Sequence, residues 1–356
     1  PRSRGLGDVY KRQLDTYELE RARGITIFSK QAEFALGDKM VTLLDTPGHV
    51  DFSAEMERTL QILDYAVLII SGADGVQGHV ETLWRLLHRY QIPVFLFINK
   101  MDQEGTEKEK LLEELRRRLD ERCLDFGSDR NQEEWMENLA MCDEHLLEKY
   151  LKWGTIETEE VMGLIESRSL FPCYFGSALK LQGVEEFLQG VAAYTRCREY
   201  PEDFGAKVYK IARDSQNTRL TYLKVTGGTL KVKMLLTNRK TAVGGRLEET
   251  GEIWEEKVDQ IRIYSGSGFR AVSEAPAGMV CAVTGLDKTY SGQGLGIEAA
   301  SEMPVLEPVL NYEIQIPEGC DVHQMFLKLR QLEEEEPQLH IVWNEQLNEI
   351  HAQVMG

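Results

Sequence analysis

The sequence lacks the features of a membrane, disulfide-rich or zinc-binding protein. No apolar run approaches the roughly 20 residues that a membrane-spanning helix needs, and no signal-peptide core is present. The six cysteines form no Cys-x-x-Cys pair, and the seven histidines show no metal-binding spacing. We therefore expect a cytoplasmic protein with reduced thiols, without a zinc site and without a membrane partner.

Positive charge is also scarce. The chain has 41 basic and 59 acidic residues, for a net charge of −18. This balance does not provide the broad basic face with which proteins grip nucleic acid. We expect no DNA binding, and any contact with RNA should be local.

A third absence is the phosphate-binding loop of many nucleotide-binding proteins. Nothing before Asp45 matches Gly-x-x-x-x-Gly-Lys-Ser/Thr, and no Gly-Lys dipeptide occurs in the chain. Residues 1–13 carry four Arg or Lys, start without Met and show no helical or strand period. We predict a non-native tail over residues 1–13, with a disordered basic arm as the alternative.

A strong motif, Asp45-Thr46-Pro47-Gly48-His49 (the 45–49 motif), follows an apolar run at residues 40–44 that predicts a buried strand. The carboxyl end of a strand is the ligand edge of an open α/β sheet. There a carboxylate can hold Mg²⁺ through water, a glycine can bring its N–H to a γ-phosphate, and a histidine can orient a water molecule. The alternative is ordinary turn chemistry.

A second motif, Asn99-Lys100-Met101-Asp102 (the 99–102 motif), follows another predicted buried strand at residues 91–98. An aspartate can accept hydrogen bonds from guanine N1–H and from its exocyclic amine, whereas adenine offers no such donor pair. Alone, these residues could form a polar loop. Following the 45–49 motif by about fifty residues, they predict a guanine-nucleotide site.

Two weaker signals fit the same site. Thr26, in an Ile-rich stretch at residues 21–27, offers a hydroxyl that a mobile segment could close on Mg²⁺ and γ-phosphate, although it could equally be a β-branched strand residue. Ser177 and Ala178 follow an apolar run at residues 171–175, and their backbone could contact guanine O6.

The order of these motifs carries a family resemblance. Arg-x-Arg-Gly-Ile-Thr-Ile, Asp-Thr-Pro-Gly-His-Val-Asp-Phe, Asn-Lys-Met-Asp and Gly-Ser-Ala succeed one another as in the G domain of the translational GTPases. The chain resembles in particular elongation factor G and the tetracycline-resistance ribosomal protection proteins, from about residue 14 to its end.

The resemblance implies a site that binds Mg²⁺ and GTP or GDP and hydrolyses GTP, in a monomer that acts on ribosomal RNA and proteins. It implies Thr26 and Asp45 for the metal, and His49 for placing the hydrolytic water. The nucleotide contacts that it implies are Asp45, Thr46, Pro47 and Gly48 at the phosphates, Asn99, Lys100 and Asp102 at guanine, and Ser177 and Ala178 over the base.

The expected fold class is α/β, with three regions in order. An incomplete P-loop GTPase G domain with a mostly parallel sheet should cover residues 14–204, including a Leu- and Glu-rich helical insert at 103–170. Short strands and Gly-rich turns predict a β-barrel domain at 205–303. A β-α-β-β pattern predicts a partial ferredoxin-like α+β domain at 304–356.

The expected function is that of a ribosome-dependent GTPase of the ribosomal protection type. The short insert and the residues Phe28-Ser29-Lys30-Gln31 favour this type over a translocase resembling elongation factor G, which stays the alternative. A further alternative is a non-enzymatic fragment. Without a phosphate loop or the family's C-terminal domains, we expect this chain to be marginally stable and inactive in hydrolysis.

Overall fold

The structure is a computed structural model. It describes residues 30–46, 53–238, 253–266, 268–302, 304–306, 308–317, 319–346 and 349–354. These residues divide into two compact units: the first is built on Ala35–Val41 and Leu63–Arg198, and the second on residues 30–34, Thr42–Ile62 and Glu199–Gly356. Each unit is described separately below.

The first described elements are strands β1 (Lys30–Leu36) and β2 (Lys39–Asp45), which pair in a two-stranded sheet. The two residues between them permit only antiparallel pairing, and Gly37 supplies the positive φ of 64° that the turn requires.

The prediction of a buried strand at residues 40–44 is wrong about burial. Residues 40–44 lie within β2, but Met40 is 72% exposed and Leu43 is 43% exposed. Among the described residues β2 pairs only with β1, and two strands cannot cover both faces of each other.

Helix α1 (Ser53–Leu60) comes next, and the first unit then alternates strands with helices. Its elements are β3 (Ala66–Ser71), α2 (Gly78–Arg89), β4 (Val94–Asn99), α3 (Lys108–Arg118), β5 (Cys123–Asp125), α4 (Gln132–Ala140), α5 (Glu144–Trp153), α6 (Thr158–Glu166), β6 (Phe171–Phe175) and α7 (Val184–Tyr194).

The four strands form a parallel sheet in the order β3-β4-β6-β5, which confirms the predicted mostly parallel sheet. Strand β4 lies inside it, and all of Val94 to Ile98 is at most 4% exposed. A parallel strand covered on both faces has no solvent side, so its sequence is a continuous apolar run. The prediction of a buried strand at residues 91–98 is therefore confirmed from Val94 onward.

The region between the 99–102 motif and β6 is helical, as its pattern predicts; it contains four helices together with an unexpected strand. Strand β5 pairs in parallel with β6 in the register Cys123↔Phe171 and Asp125↔Cys173. Three residues are too few to stand out as an apolar run, which is why the pattern missed this strand. Aromatic rings fill the core beneath, with Phe126 edge-to-face on Trp135 and Tyr194 at 5.3 Å in each case.

The second unit continues with antiparallel strands. They are β7 (Gly205–Arg213), β8 (Arg219–Gly227), β9 (Thr229–Lys231), β10 (Leu235–Thr237), β11 (Glu255–Lys257), β12 (Gln260–Ser265), β13 (Gly268–Val272), β14 (Glu274–Pro276), β15 (Val280–Thr284) and β16 (Gly294–Gly296). Six of them form one sheet in the order β13-β12-β15-β8-β7-β16, and the others pair as β10-β11 and β14-β9. Val208, Leu223, Ile261 and Val283 are fully buried in their shared core.

The last elements are β17 (Leu310–Ile314), α8 (Val322–Glu335), β18 (Val342–Asn344) and β19 (Glu349–Val354). The predicted β-α-β-β order is confirmed, and the strands form an antiparallel sheet in the order β17-β19-β18. Val322, Phe326 and Leu329 of α8 pack on the small core, whereas Leu332, predicted on the same stripe, is 50% exposed.

Two general features complete the fold. Among the described residues, no helix combines the length and the apolar character that crossing a bilayer requires. The domain boundaries at 204/205 and 303/304 stay predictions.

Candidate functional site

The carboxyl ends of β4 and β6 are joined by backbone hydrogen bonds. The N–H of Gly176 donates to the carbonyl of Ile98 at 2.9 Å, and the N–H of Met101 donates to the carbonyl of Gly176 at 3.0 Å. Because both strands are parallel, their following loops emerge at one edge of the sheet. The two polar motifs that the sequence predicts to share a site therefore lie in contact.

Asn99 links these two loops through its side chain. Its Oδ1 accepts hydrogen bonds from the backbone N–H of Lys100 at 2.8 Å and of Ala178 at 2.9 Å. An amide oxygen has two lone pairs, so both are used in holding the loops together. The side-chain NH₂ remains the part of Asn99 that can serve a ligand.

Asp102, the last residue of the 99–102 motif, faces the loop that follows β6. Its Oδ2 lies 3.3 Å from Nζ of Lys180, and its side chain is 17% exposed. A hydrogen bond from the Ser177 side chain is the largest cause that lowers the pKa of Asp102, with further lowering from Lys180 and opposition from burial. Asp102 is thus an anion at neutral pH and can accept two N–H donors.

The loop after β6 has its shape because of two glycines. Ser177 and Gln182 exchange backbone hydrogen bonds of 3.0 Å in each direction. A Cβ on Gly176 would lie 2.2 Å from the carbonyl oxygen of Gln182, and Gly183 has a φ of 70° with the Phe175 carbonyl oxygen 2.5 Å from its would-be Cβ. Only glycine fits either position without a shift of the backbone.

Lys100 has a left-handed backbone, with a φ of 66°. Such a conformation is uncommon outside glycine and is concentrated at functional sites. Its Nζ lies 3.9 Å from Oδ2 of Asp74, but the two side chains are 49% and 61% exposed, so the pair is weak. The Lys100 side chain is therefore able to turn toward a ligand.

A groove of about 480 Å³ opens beside these residues, at the carboxyl ends of β3 and β4. Its volume lies in the range of small-molecule sites. Its lining combines an apolar side with polar groups: Ile69, Ile70, Ser71, Asp74, Gly75, Gln77, His79, Val80, Asn99 and Lys100. Asp102, Ser177 and Ala178 are not among its lining residues, and Asn99 and Lys100 are the two that belong to the 99–102 motif.

The 45–49 motif is only partly described. Asp45 is the last residue of β2, and Asp45 and Thr46 are both half-buried in the second unit. Pro47, Gly48, His49 and also Thr26 lie outside the described residues. Within the described part of the chain, no cluster of three or more His, Cys, Asp or Glu side chains is arranged to hold a metal ion.

The structure adds two residues that the sequence did not single out. Lys180 pairs with Asp102, and Asp74 lies near Lys100 in the groove. Asp74 lies three positions after the end of the apolar strand β3, and the rule that selected Asp45 and Asn99, polar residues at the end of an apolar run, would have found it if extended by a few positions. No local pattern marks Lys180, because its position depends on the turn at 177–182.

Comparisons with known proteins agree with the fold. Residues 2–196 match the family described as the elongation factor Tu GTP binding domain. This match includes most of the segment 1–13, so the non-native tail stays a prediction.

Two of the similar proteins are named for resistance to tetracyclines. The tetracycline resistance protein TetP of Clostridium perfringens is 29% identical over 382 aligned positions, which cover 100% of this chain and 57% of that protein. The oxytetracycline resistance protein of Streptomyces rimosus is 31% identical over 376 positions, covering 96% and 55%. The chain thus spans little more than half the length of these relatives.

A crystal structure of a protein from Thermus thermophilus has the same fold. It superposes with a TM-score of 0.80 over 97% of this chain and 58% of that one, at 22% sequence identity. At this identity the likeness concerns the fold alone.

Proposed function

The chain belongs to the translational GTPases that carry the elongation factor Tu GTP binding domain, and from this premise we propose a ribosome-dependent GTPase of the ribosomal protection type. Its partners would be GTP, GDP and the RNA and proteins of the ribosome, and it would act as a cytoplasmic monomer without binding DNA. The observation that carries the proposal is the convergence of the 99–102 motif and the Ser177–Ala178 loop.

We propose that this convergence reads guanine. Asp102 accepts hydrogen bonds from N1–H and the exocyclic amine, and the stem of Lys100 lies along the base. The backbone N–H groups of Ser177 and Ala178 would serve the base's O6, and each would have to be shared, because the Ser177 N–H donates to the Gln182 carbonyl and the Ala178 N–H donates to Asn99. Discrimination follows because adenine lacks the two donors that Asp102 requires.

The phosphate end of the site is proposed on donor chemistry. Mg²⁺ prefers oxygen ligands, and the Asp45 carboxylate and Thr26 hydroxyl are of this kind. When bound, Mg²⁺ would neutralise charge on the β- and γ-phosphates. Thr46, Pro47 and Gly48 would line the γ-phosphate, and His49 would orient the attacking water.

Ribosomal protection is preferred to translocation for two reasons. Both relatives reported above carry resistance names, and the region between Asp102 and β6 is short. Translocation like that of elongation factor G is the second candidate.

We further propose that the chain as written binds GTP weakly and does not hydrolyse it. It has no match to the Gly-Lys phosphate loop, and hydrogen bonds to charged groups contribute about 1.5–3 kcal/mol each. The loss of several such bonds lowers affinity by orders of magnitude.

The decisive experiment titrates a fluorescent GTP with Mg²⁺ against the chain, and against a version whose first 13 residues are replaced by a strand and a Gly-x-x-x-x-Gly-Lys-Ser loop. Each is compared with Asp102→Asn and, as a matched control, Asp129→Asn, whose side chain is 73% exposed and pairs with Lys108. Asp102→Asn should weaken GTP binding about 10- to 100-fold and favour xanthosine triphosphate, since an amide can donate to the xanthine O2.

Binding by the repaired version alone, lost with Asp102→Asn and kept with Asp129→Asn, supports the proposal. Tight binding by the chain as written would overturn the part concerning its phosphate site. If Asp102→Asn and the wild type bound GTP with equal affinity, the proposal that Asp102 reads guanine would be overturned.

A further inference from the structure

The chain turns twice between the 99–102 motif and helix α3. The N–H of Gln103 donates to the carbonyl of Lys100 at 3.1 Å, and the N–H of Thr106 donates to the carbonyl of Gln103 at 3.4 Å. Gly105 has a positive φ of 86°, which a glycine adopts without strain. This double turn, residues 100–106, brings the Thr106 side chain back beside the motif.

The hydroxyl of Thr106 lies against two backbone carbonyls. Its Oγ1 is 2.9 Å from the carbonyl oxygen of Met101 and 2.8 Å from that of Gln103. A hydroxyl has one hydrogen, so the two carbonyls share it. The turn from 103 to 106 is already closed by its backbone bond, and the contact with Met101 is therefore an addition that the turn does not require.

Met101 is held through both of its backbone polar groups. Its N–H donates to the carbonyl of Gly176 at 3.0 Å, in the loop that follows β6, and its carbonyl accepts from Thr106. This carbonyl belongs to the planar peptide bond that joins Met101 to Asp102. Fixing the carbonyl therefore fixes the plane from which the Asp102 side chain starts.

The far end of the double turn is anchored to the same strand. Lys108, the first residue of α3, forms ion pairs with Asp125 at 2.7 Å and with Asp129 at 2.6 Å. Its Nζ lies 5.5 Å from the ring centroid of Phe175, which directly precedes Gly176. The segment that contains Thr106 thus contacts the end of β6 on both sides, which gives Thr106 a fixed base from which to hold Met101.

A carboxylate that reads guanine needs such a fixed direction. To accept from N1–H and from the exocyclic amine together, both oxygens of Asp102 must lie near the plane of the base. The base of inosine has N1–H but no exocyclic amine, and a carboxylate that has turned about its bonds can still meet a single donor. Loss of orientation should therefore lower the affinity for GTP more than the affinity for inosine triphosphate (ITP).

We propose that Thr106 is a positioning residue that sets the preference for guanine by holding the Met101 carbonyl and, through it, the Asp102 carboxylate. The inference rests on the proposed function, because it concerns the guanine site proposed above. Thr106 acts through the backbone of Met101 rather than on the base.

The test measures the affinities of GTP and ITP for the version with an added phosphate loop, by competition with a fluorescent GTP. With Thr106 in place, GTP should be preferred about 10-fold or more, since the second donor forms a hydrogen bond to a charged group. Thr106→Val, which keeps the shape of the side chain and removes the hydroxyl, should reduce this preference about 3-fold or more. Thr106→Ser, which keeps the hydroxyl, should retain the preference.

The matched control is Thr82→Val. The Thr82 hydroxyl donates to the Gly78 carbonyl at 3.2 Å inside α2, so it makes the same kind of bond without touching Met101. This variant should keep the preference for GTP, and urea unfolding shows whether each variant is folded. An unchanged preference in Thr106→Val, or an equal loss in Thr106→Ser, would overturn the role of Thr106.

A second measurement needs no nucleotide and uses the chain as written. A hydrogen bond from Ser177 is the largest cause that lowers the pKa of Asp102, and this bond depends on the direction of the carboxylate. In a carbon NMR titration, the Asp102 carboxyl should therefore titrate at a higher pH in Thr106→Val than in the wild type, in Thr106→Ser and in Thr82→Val.

The two measurements separate failure of this inference from failure of the proposed function. If the version with an added phosphate loop binds neither nucleotide, or binds GTP and ITP equally, the proposed guanine site fails and the NMR titration decides on Thr106. Titration of Asp102 at the same pH in all four proteins would overturn the positioning role.

Discussion

Oδ1 of Asn99 accepts a hydrogen bond from the backbone N–H of Ala178 at 2.9 Å, across 79 positions of sequence. This bond holds the loop after β4 and the loop after β6 in a fixed position relative to each other. Its energy matters less than its placement, because a neutral hydrogen bond contributes only about 1 kcal/mol net. The guanine site that we propose would need its contacts held in fixed geometry, and the Asn99 side chain holds the two loops in place.

Asn99→Ala should therefore affect both stability and binding. The N–H groups of Lys100 and Ala178 lose their acceptor, so we expect the free energy of unfolding in urea to fall by about 1–3 kcal/mol. GTP affinity of the version with an added phosphate loop should fall as well. The control is Asn311→Ala, an exposed residue of β17. An unfolding free energy equal to that of the control would contradict the role assigned to Asn99.

Gly176→Ala should be destabilising by about 1–3 kcal/mol, because the new methyl group would sit 2.2 Å from the Gln182 carbonyl oxygen and 3.1 Å from the ring of Phe97. Gly163→Ala offers a contrast: this glycine lies inside α6 with no atom within 4 Å of a Cβ, so alanine should stabilise by about 0.5–1 kcal/mol. Urea unfolding of the two variants measures whether the free energy of unfolding falls in one and rises in the other. If Gly176→Ala were as stable as the wild type, the loop would be able to shift and accept the methyl group.

Asp214 gives a prediction about pH. Its carboxylate accepts from Arg262 at 2.9 Å, which is the main cause that lowers its pKa to about 2, together with the N–H groups of Gln216 and Thr218. Because the folded pKa lies below the unfolded value of about 4, the stabilisation is present above pH 4 and is lost as the pH falls toward 2.

Asp214→Asn should accordingly lower the urea midpoint at pH 7. Its difference from the wild type should shrink between about pH 4 and pH 2. The exposed Asp287→Asn should show no such convergence. A difference that stays constant over this pH range would mean that the ionised carboxylate contributes nothing to stability.

The parts of the site that the sequence predicts are those fixed by local pattern. Strand β4 is a continuous apolar run because an inner parallel strand is covered on both faces. Asn99 is the polar residue that ends this run, so the pattern singles it out. The exposure of β2 was not predictable, since it depends on which strands pair with β2, and among the described residues only β1 does. The contact of Lys180 with Asp102 was missed because a turn with two glycine-dependent positions brings Lys180 back to the motif.

The protonation of Asp102 tests the electrostatics of the site without requiring nucleotide. The Ser177 hydrogen bond is the largest single cause that lowers the pKa of Asp102, and Lys180 lowers it through both a hydrogen bond and its charge. Ser177→Ala and Lys180→Met should therefore each raise this pKa, while both backbone N–H groups of the loop remain in place. A carbon NMR titration of the Asp102 carboxyl measures both changes directly.

The same shifts should appear in binding by the version with an added phosphate loop. Only the ionised carboxylate can accept both guanine donors, so GTP affinity falls when Asp102 takes up a proton. As the pH is lowered, affinity should begin to fall at a higher pH in Ser177→Ala and in Lys180→Met than in the wild type. If all three proteins lose affinity at the same pH, a group other than Asp102 controls the binding of guanine.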